Sequence, residues 1–255
     1  MATYKKRGSK PKDNREQTVQ EQSTTAEVFN TLDETASKSE QWIEKNSKPL
    51  FYGLVLVAVL ILGYLGYNKY VIEPTENNAA NELAFPRKHF NAANTVSVGV
   101  DSLLNLGLEG ADGKYGFVDV ATIYSGTEAG NLANYYAGIS YLKLKQYDKA
   151  IDFLSKFSSD DELLGPTAIG AMGDAFADIN QPKEALKYYE EAASKKANDF
   201  TTPLFLYKAG ITAMELKEYS KAETLFSKIK SDYPTSYQGG DIDKHINSAK
   251  FAAKN

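Results

Sequence analysis

Hydrophobic and polar positions change their rhythm along this chain, and each rhythm predicts a different element. From Pro49 to Asn68 the sequence PLFYGLVLVAVLILGYLGYN runs for 20 residues without a charge and is apolar on every side. A helix of that length is about 30 Å long, the thickness of a bilayer's hydrocarbon core, and shows no polar face to water. Upstream, over residues 24–46, Val28, Leu32, Ala36, Ser39 and Ile43 form one thin helical stripe, and Thr24 with Glu27 fits a capping box. Downstream, three segments align without gaps: NYYAGISYLKLKQYDKAIDFL, IGAMGDAFADINQPKEALKYY and LYKAGITAMELKEYSKAETLF. In each, a glycine precedes an alanine by 12 residues: Gly138 to Ala150, Gly173 to Ala185, Gly210 to Ala222.

The recurrence has a packing reason. A mid-helix glycine costs about 1 kcal/mol relative to alanine, so three at one spacing mark places where two helix axes come close. The steps between units are 35 and 37 residues, and Tyr147, Pro182 and Tyr219 stand where a turn hands over to a second helix. Large residues recur around the small ones: Tyr141 and Phe176, then Leu154, Tyr189 and Phe226, then Phe157 and Ile229. Thr202 before Pro203 and Pro182 read as helix starts, and Pro234 closes the last helix. The fold class is therefore all-α, a single membrane-crossing helix followed by a solenoid of antiparallel helix pairs.

These repeats resemble the tetratricopeptide repeat, through the period near 34, the Gly–x–x–Tyr of the first helix, the alanine of the second and the trailing Pro234. The match covers roughly residues 131–234, with Asn134 where a tryptophan is usual and Ala213 in place of an aromatic.

The repeats order the rest of the chain. Residues 1–22 are a basic, disordered, cytoplasmic tail, 23–48 an amphipathic cytoplasmic helix, and 49–72 an uncleaved signal anchor. A helical cap is expected over 73–130, three repeats over 131–234 and a capping helix over 235–255. Within the cap, Pro86 should kink its helix. Ile242, Ile246, Ala249 and Phe251 should cover the far end, since solenoids need such caps. The span carries Leu50, Phe51 and Tyr52 at one end and Tyr64 and Tyr67 at the other, as interfacial aromatic belts require. A cleaved signal peptide fits less well, because its apolar stretch is shorter and ends in small residues. Nine basic residues precede the span, whereas nothing basic lies between Lys69 and Arg87. That bias places the N-terminus in the cytoplasm and residues 73–255 across the membrane.

Composition narrows function mainly by exclusion. The chain has 255 residues, 33 acidic against 29 basic, and a net charge of −4. This balance does not point to nucleic acid. It divides as +3 over residues 1–22, −2 over 23–48, zero in the span and −5 beyond it. No cysteine is present, which removes disulfides, zinc-thiolate sites and cysteine nucleophiles. Two histidines, His89 and His245, stand far apart with no cluster of acids at ligand spacing. No phosphate-binding loop, HExxH, GxSxG or dinucleotide fingerprint occurs. The acidic clusters Asp160-Asp161-Glu162 and Glu190-Glu191 read as solvated charge, or, in the least favoured alternative, as a degenerate envelope enzyme's site. The expectation is no enzyme activity, no cofactor, no metal and no small-molecule substrate.

What remains is a surface for protein partners. In tetratricopeptide proteins the first helices of the units line a concave groove. Positions three before, one after and four after each glycine share one helix face. They are Tyr135, Ile139 and Leu142, then Gly170, Asp174 and Ala177, then Tyr207, Ile211 and Met214. Such a face suits an extended or helical apolar segment, unless a capping helix such as 240–253 covers it. A signal anchor followed by such a domain also resembles the ancillary SecYEG translocon subunits of Bacteroidetes type, with NLANYYAGISYL and NDFTTPLFLYKAG carrying that likeness. The resemblance implies a place beside the protein-conducting channel of a bacterial inner membrane, with residues 73–255 in the periplasm, and, as partners, channel subunits, translocating or periplasmic polypeptides and chaperones. The alternative is a tethered scaffold for envelope or outer-membrane assembly, secretion or gliding machinery.

Overall fold

The computed structural model describes residues 24–254, and the tail expected at 1–22 lies outside the described residues. Among them every regular element is a helix, apart from one isolated bridge between Ala111 and Lys114. The chain divides into two compact units, up to Asn68 and from Lys69 onward.

The first unit holds α1 (Thr24–Lys45) and α2 (Ser47–Tyr67). On α1 the stripe residues Leu32 and Ile43 are exposed, as is Trp42. The side chains of Thr24, Glu27, Val28 and Ser39 lie outside the described ones. α2 contains the long uncharged run, and none of its residues is buried. Phe51 and Tyr52 meet edge to face at 6.1 Å at its start, and Tyr64 and Tyr67 are exposed at its end. Leaving so many leucines and valines uncovered is unfavourable in water, at about 25 cal/mol for every Å² of apolar surface. By length and composition this helical stretch can cross a membrane.

A π-helical turn, Asn68–Ile72, leads into α3 (Glu73–Ala93), which runs on through the fully buried Pro86. α4 (Val100–Glu109) and α5 (Phe117–Ile123) complete the entrance to the second unit. Their apolar faces meet around Leu83, Phe90, Leu104, Leu108, Phe117 and Val120. Phe117 stacks on Tyr136 at 5.2 Å and Phe90 meets the same ring at 5.0 Å, tying this layer to the first repeat helix. Glu76 of α3 accepts the backbone N–H of Glu128 with both carboxylate oxygens, at 3.1 and 3.2 Å. The carboxylate thereby satisfies an orphan donor where the helix dipole favours negative charge.

Three helix pairs follow: α6 (Glu128–Lys143) with α7 (Tyr147–Lys156), α8 (Leu164–Asp178) with α9 (Pro182–Lys195), and α10 (Thr201–Glu215) with α11 (Tyr219–Asp232). One turn geometry serves all three. Lys145, Asn180 and Lys217 are left-handed, with φ of 59°, 59° and 62°. The next residue's N–H reaches back five residues, from Gln146 to Tyr141, Gln181 to Phe176 and Glu218 to Ala213, at 2.8 to 2.9 Å. This is the Schellman arrangement, which satisfies the last carbonyls of a helix while reversing the chain.

The repeat glycines sit where the spacing predicts close approach. A Cβ on Gly138 would lie 2.5 Å from Leu154, on Gly173 2.7 Å from the Tyr189 ring, and on Gly210 2.4 Å from the Phe226 ring. Each partner is 16 residues further on, and Ala150, Ala185 and Ala222 are wholly buried beside them. The last helix, α12 (Ile242–Ala252), buries Ile242, Ile246 and Ala249 against the third pair.

Two local expectations are corrected. α10 begins at Thr201 rather than after a Thr202 cap, because the Asn198 side-chain oxygen accepts the N–H groups of Phe200 and Thr201 at 2.9 and 2.8 Å. Phe251, expected on the covering face of α12, is 73 % exposed; it comes two residues after Ala249, past the buried side of a 3.6-residue turn.

Candidate functional site

The residues expected to line a groove lie on the first helix of each pair, and the structure gives each trio a different neighbour. Tyr135 is half-buried, 5.2 Å from the Phe157 ring and 5.6 Å from Tyr136. With Ile139 and Leu142 it packs on Leu154, Ala168, Ala171 and Met172, so this trio joins the first pair to the second. Burial holds the Tyr135 hydroxyl above the usual tyrosine range, with Tyr136 adding to it.

In the second trio, Gly170 faces the Phe205 ring of the next pair so closely that a Cβ would fall 1.9 Å from it. Asp174 is the centre of a polar clamp. Its carboxylate accepts Lys208 Nζ at 2.6 and 2.8 Å and the Tyr189 hydroxyl at 2.7 Å. The Lys208 ammonium also lies 5.6 Å over the Tyr189 ring and 5.9 Å over Phe205. Burial, then the hydrogen bond and charge of Asp174, push the Tyr189 phenol far above its ordinary value. Ala177 is exposed at the end of the helix.

The third trio meets the capping helix. Tyr207 stands edge to face with His245 at 5.1 Å, with its hydroxyl 3.2 Å from His245 Nε2. Met214 is half-buried against the same core, while Ile211 is 40 % exposed. Burial holds the His245 ring below its ordinary value, with Lys244 acting in the same direction and Asp241 against it. A depressed histidine stabilises the fold above its unfolded value of about 6.5, and that stability is lost as pH falls through the folded value. Acidification to pH 5.5 is expected to lower hydrogen-exchange protection of the Ile246 and Ala249 amides, after correction for intrinsic rates. His245→Phe should remove that pH dependence.

Sequence reasoning missed Lys208, Tyr189 and His245 as members of this face. One signal existed, an acid and a base 34 residues apart at Asp174 and Lys208, on the first helices of successive units. The histidine carried none, because its partner is 38 residues away on a helix outside the repeat.

The acidic clusters have structural work. Asp161 Oδ1 accepts the N–H groups of Leu163 and Leu164, both at 2.8 Å, and these bonds hold its carboxyl below the usual range. It caps α8. Glu190 pairs with Lys221 at 3.5 Å. His89 lies edge to face on Phe85 at 4.6 Å. Among the described residues no group of three or more His, Asp or Glu side chains could hold a metal.

Compared with known protein families, the chain matches the tetratricopeptide repeat at residues 132–161 and 205–236. These stretches correspond to the first and third helix pairs. The second pair falls outside both, although its turn and its glycine contact have the same geometry. Repeats of this kind build protein–protein interaction modules. No curated protein and no solved structure matches the chain.

Proposed function

We propose that the chain is a single-pass inner-membrane protein whose repeat domain holds polypeptides on the periplasmic side of the protein-export channel. In this reading α2 is the anchor, α1 and the basic tail dock on channel subunits from the cytoplasm, and the domain receives translocating chains or their chaperones. The observation that carries it is an apolar helix with no buried residue, long enough to span, in the same chain as tetratricopeptide repeats. The side of the membrane follows from the basic residues before the span, and the channel as partner from the resemblance in architecture.

The absence of native cysteine allows a clean topology test. Ser248→Cys, on an exposed position of α12, is expected to react with an impermeant maleimide in intact spheroplasts. Ser37→Cys on α1 should react only after lysis; the opposite pattern inverts the topology. Crosslinking in native membranes, read by mass spectrometry, should then recover channel subunits. Replacing residues 1–68 by an unrelated anchor should abolish those crosslinks and function together. Retained function with any anchor favours a tethered envelope scaffold instead.

A further inference from the structure

A cleft at the C-terminal end of the repeats, separate from the first-helix face, has its own chemistry. Between the start of α10 and the segment after α11, Asp199, Phe200, Leu204, Asp232, Tyr233 and Tyr237 line a cavity of about 450 Å³. A second cavity of about 590 Å³, which Tyr207, Lys208, Lys244 and His245 line beside α12, adjoins it at Leu204 and Tyr237 and belongs to the first-helix face. Phe200 is 79 % and Tyr237 96 % exposed, two large aromatics left uncovered at one mouth. No lining residue of the first cavity is basic, and among the described residues neither Asp199 nor Asp232 has a lysine or arginine partner. Asp232 is moreover the last residue of α11, where the helix dipole disfavours an acid, and it accepts a hydrogen bond from the uncharged Ser231 hydroxyl at 2.6 Å.

Aromatic rings beside unpaired carboxylates have a complementary ligand: an apolar side chain next to a cation, which the rings and the acids receive together. We propose that this end cleft docks a segment of a partner protein in which lysine or arginine alternates with aromatic or large aliphatic residues. The proposal concerns a surface outside the first-helix trios and stands whichever side of the membrane the domain occupies.

The test uses the full chain in lipid nanodiscs and two fluorescent octapeptides. One carries two lysines, a phenylalanine and a leucine; in the other, glutamates replace the lysines. The lysine peptide is expected to bind by fluorescence anisotropy, to weaken as salt rises, and to exceed the glutamate peptide by about tenfold or more in affinity. Asp199→Asn combined with Asp232→Asn should erase that preference, and Phe200→Ser combined with Tyr237→Ser should weaken binding itself. Ile211→Asp, on the first-helix face, should leave both unchanged. All five positions are solvent-exposed, so the variants keep the folded state, which circular dichroism checks. Equal affinity for the two peptides, loss of binding only in Ile211→Asp, or a self-association that Phe200→Ser abolishes would each overturn the proposal.

Discussion

Phe226→Ala is expected to lower the stability of the repeat domain by about 3–5 kcal/mol, the cost of a large cavity in a packed core. The ring has no exposed surface, and three elements meet on it. It fills the space left by Gly210 of α10, lies 6.0 Å from Tyr207, and lies 5.3 Å from His245 of α12. Its loss should therefore also release the capping helix, seen as early exchange of the α12 amides before the rest of the domain opens. Urea titration at constant detergent, followed by far-ultraviolet circular dichroism, measures the total effect. Phe200→Ala is the control: the same side chain is removed from an exposed position, and a shift within about 0.5 kcal/mol is expected. A small shift for Phe226→Ala would mean that the third pair and α12 are not held together through this ring.

Gly170→Ala is the second large effect, and its sign is the informative part. On helix propensity alone the change should help, by about 1 kcal/mol. The new methyl would, however, lie 1.9 Å from Cε1 and 2.2 Å from Cζ of Phe205, a ring only 3 % exposed that has little room to turn away. Overpacking of this kind costs about 1–3 kcal/mol and here should reach the upper end, leaving a net loss. Since Gly170 and Phe205 belong to successive pairs, the loss should appear as uncoupling of the second pair from the third. Phe205→Leu in the same chain should recover part of it, and a coupling of about 0.5–3 kcal/mol between the two sites is the expected signature. A stabilised Gly170→Ala would show that the pairs slide apart freely and that propensity dominates.

Much of the architecture was legible because its causes are local or periodic. Gly138, Gly173 and Gly210 announce close helix contact in the sequence, and each meets the residue 16 positions later in the structure. The uncharged run at 49–68 announces a helix with nothing to turn toward water, and α2 buries none of its residues. Pro182 opens α9 as its fixed φ predicts. Less legible was the start of α10, because Asn198 acts through a loop conformation that no spacing rule specifies.

The face of the repeats was legible only as a set of positions. Tyr135, Asp174 and Tyr207 occupy equivalent places in their units, and the chain alone treats them alike. The fold assigns them three different neighbours: a tyrosine wedged on Phe157, a carboxylate clamped by Lys208 and Tyr189, and a tyrosine under His245. Helix periodicity is set within a few residues of chain, so the sequence by itself determined which segments are helices, where they pair and which helix is too apolar for water. Which side chains are covered depends on how successive pairs rotate against one another and where the last helix lands, contacts between residues 15 to 38 apart. Those were decided by the tertiary structure alone, since only packing brings Asp174 to Lys208, Tyr207 to His245, and Phe200 to the same cleft as Tyr237.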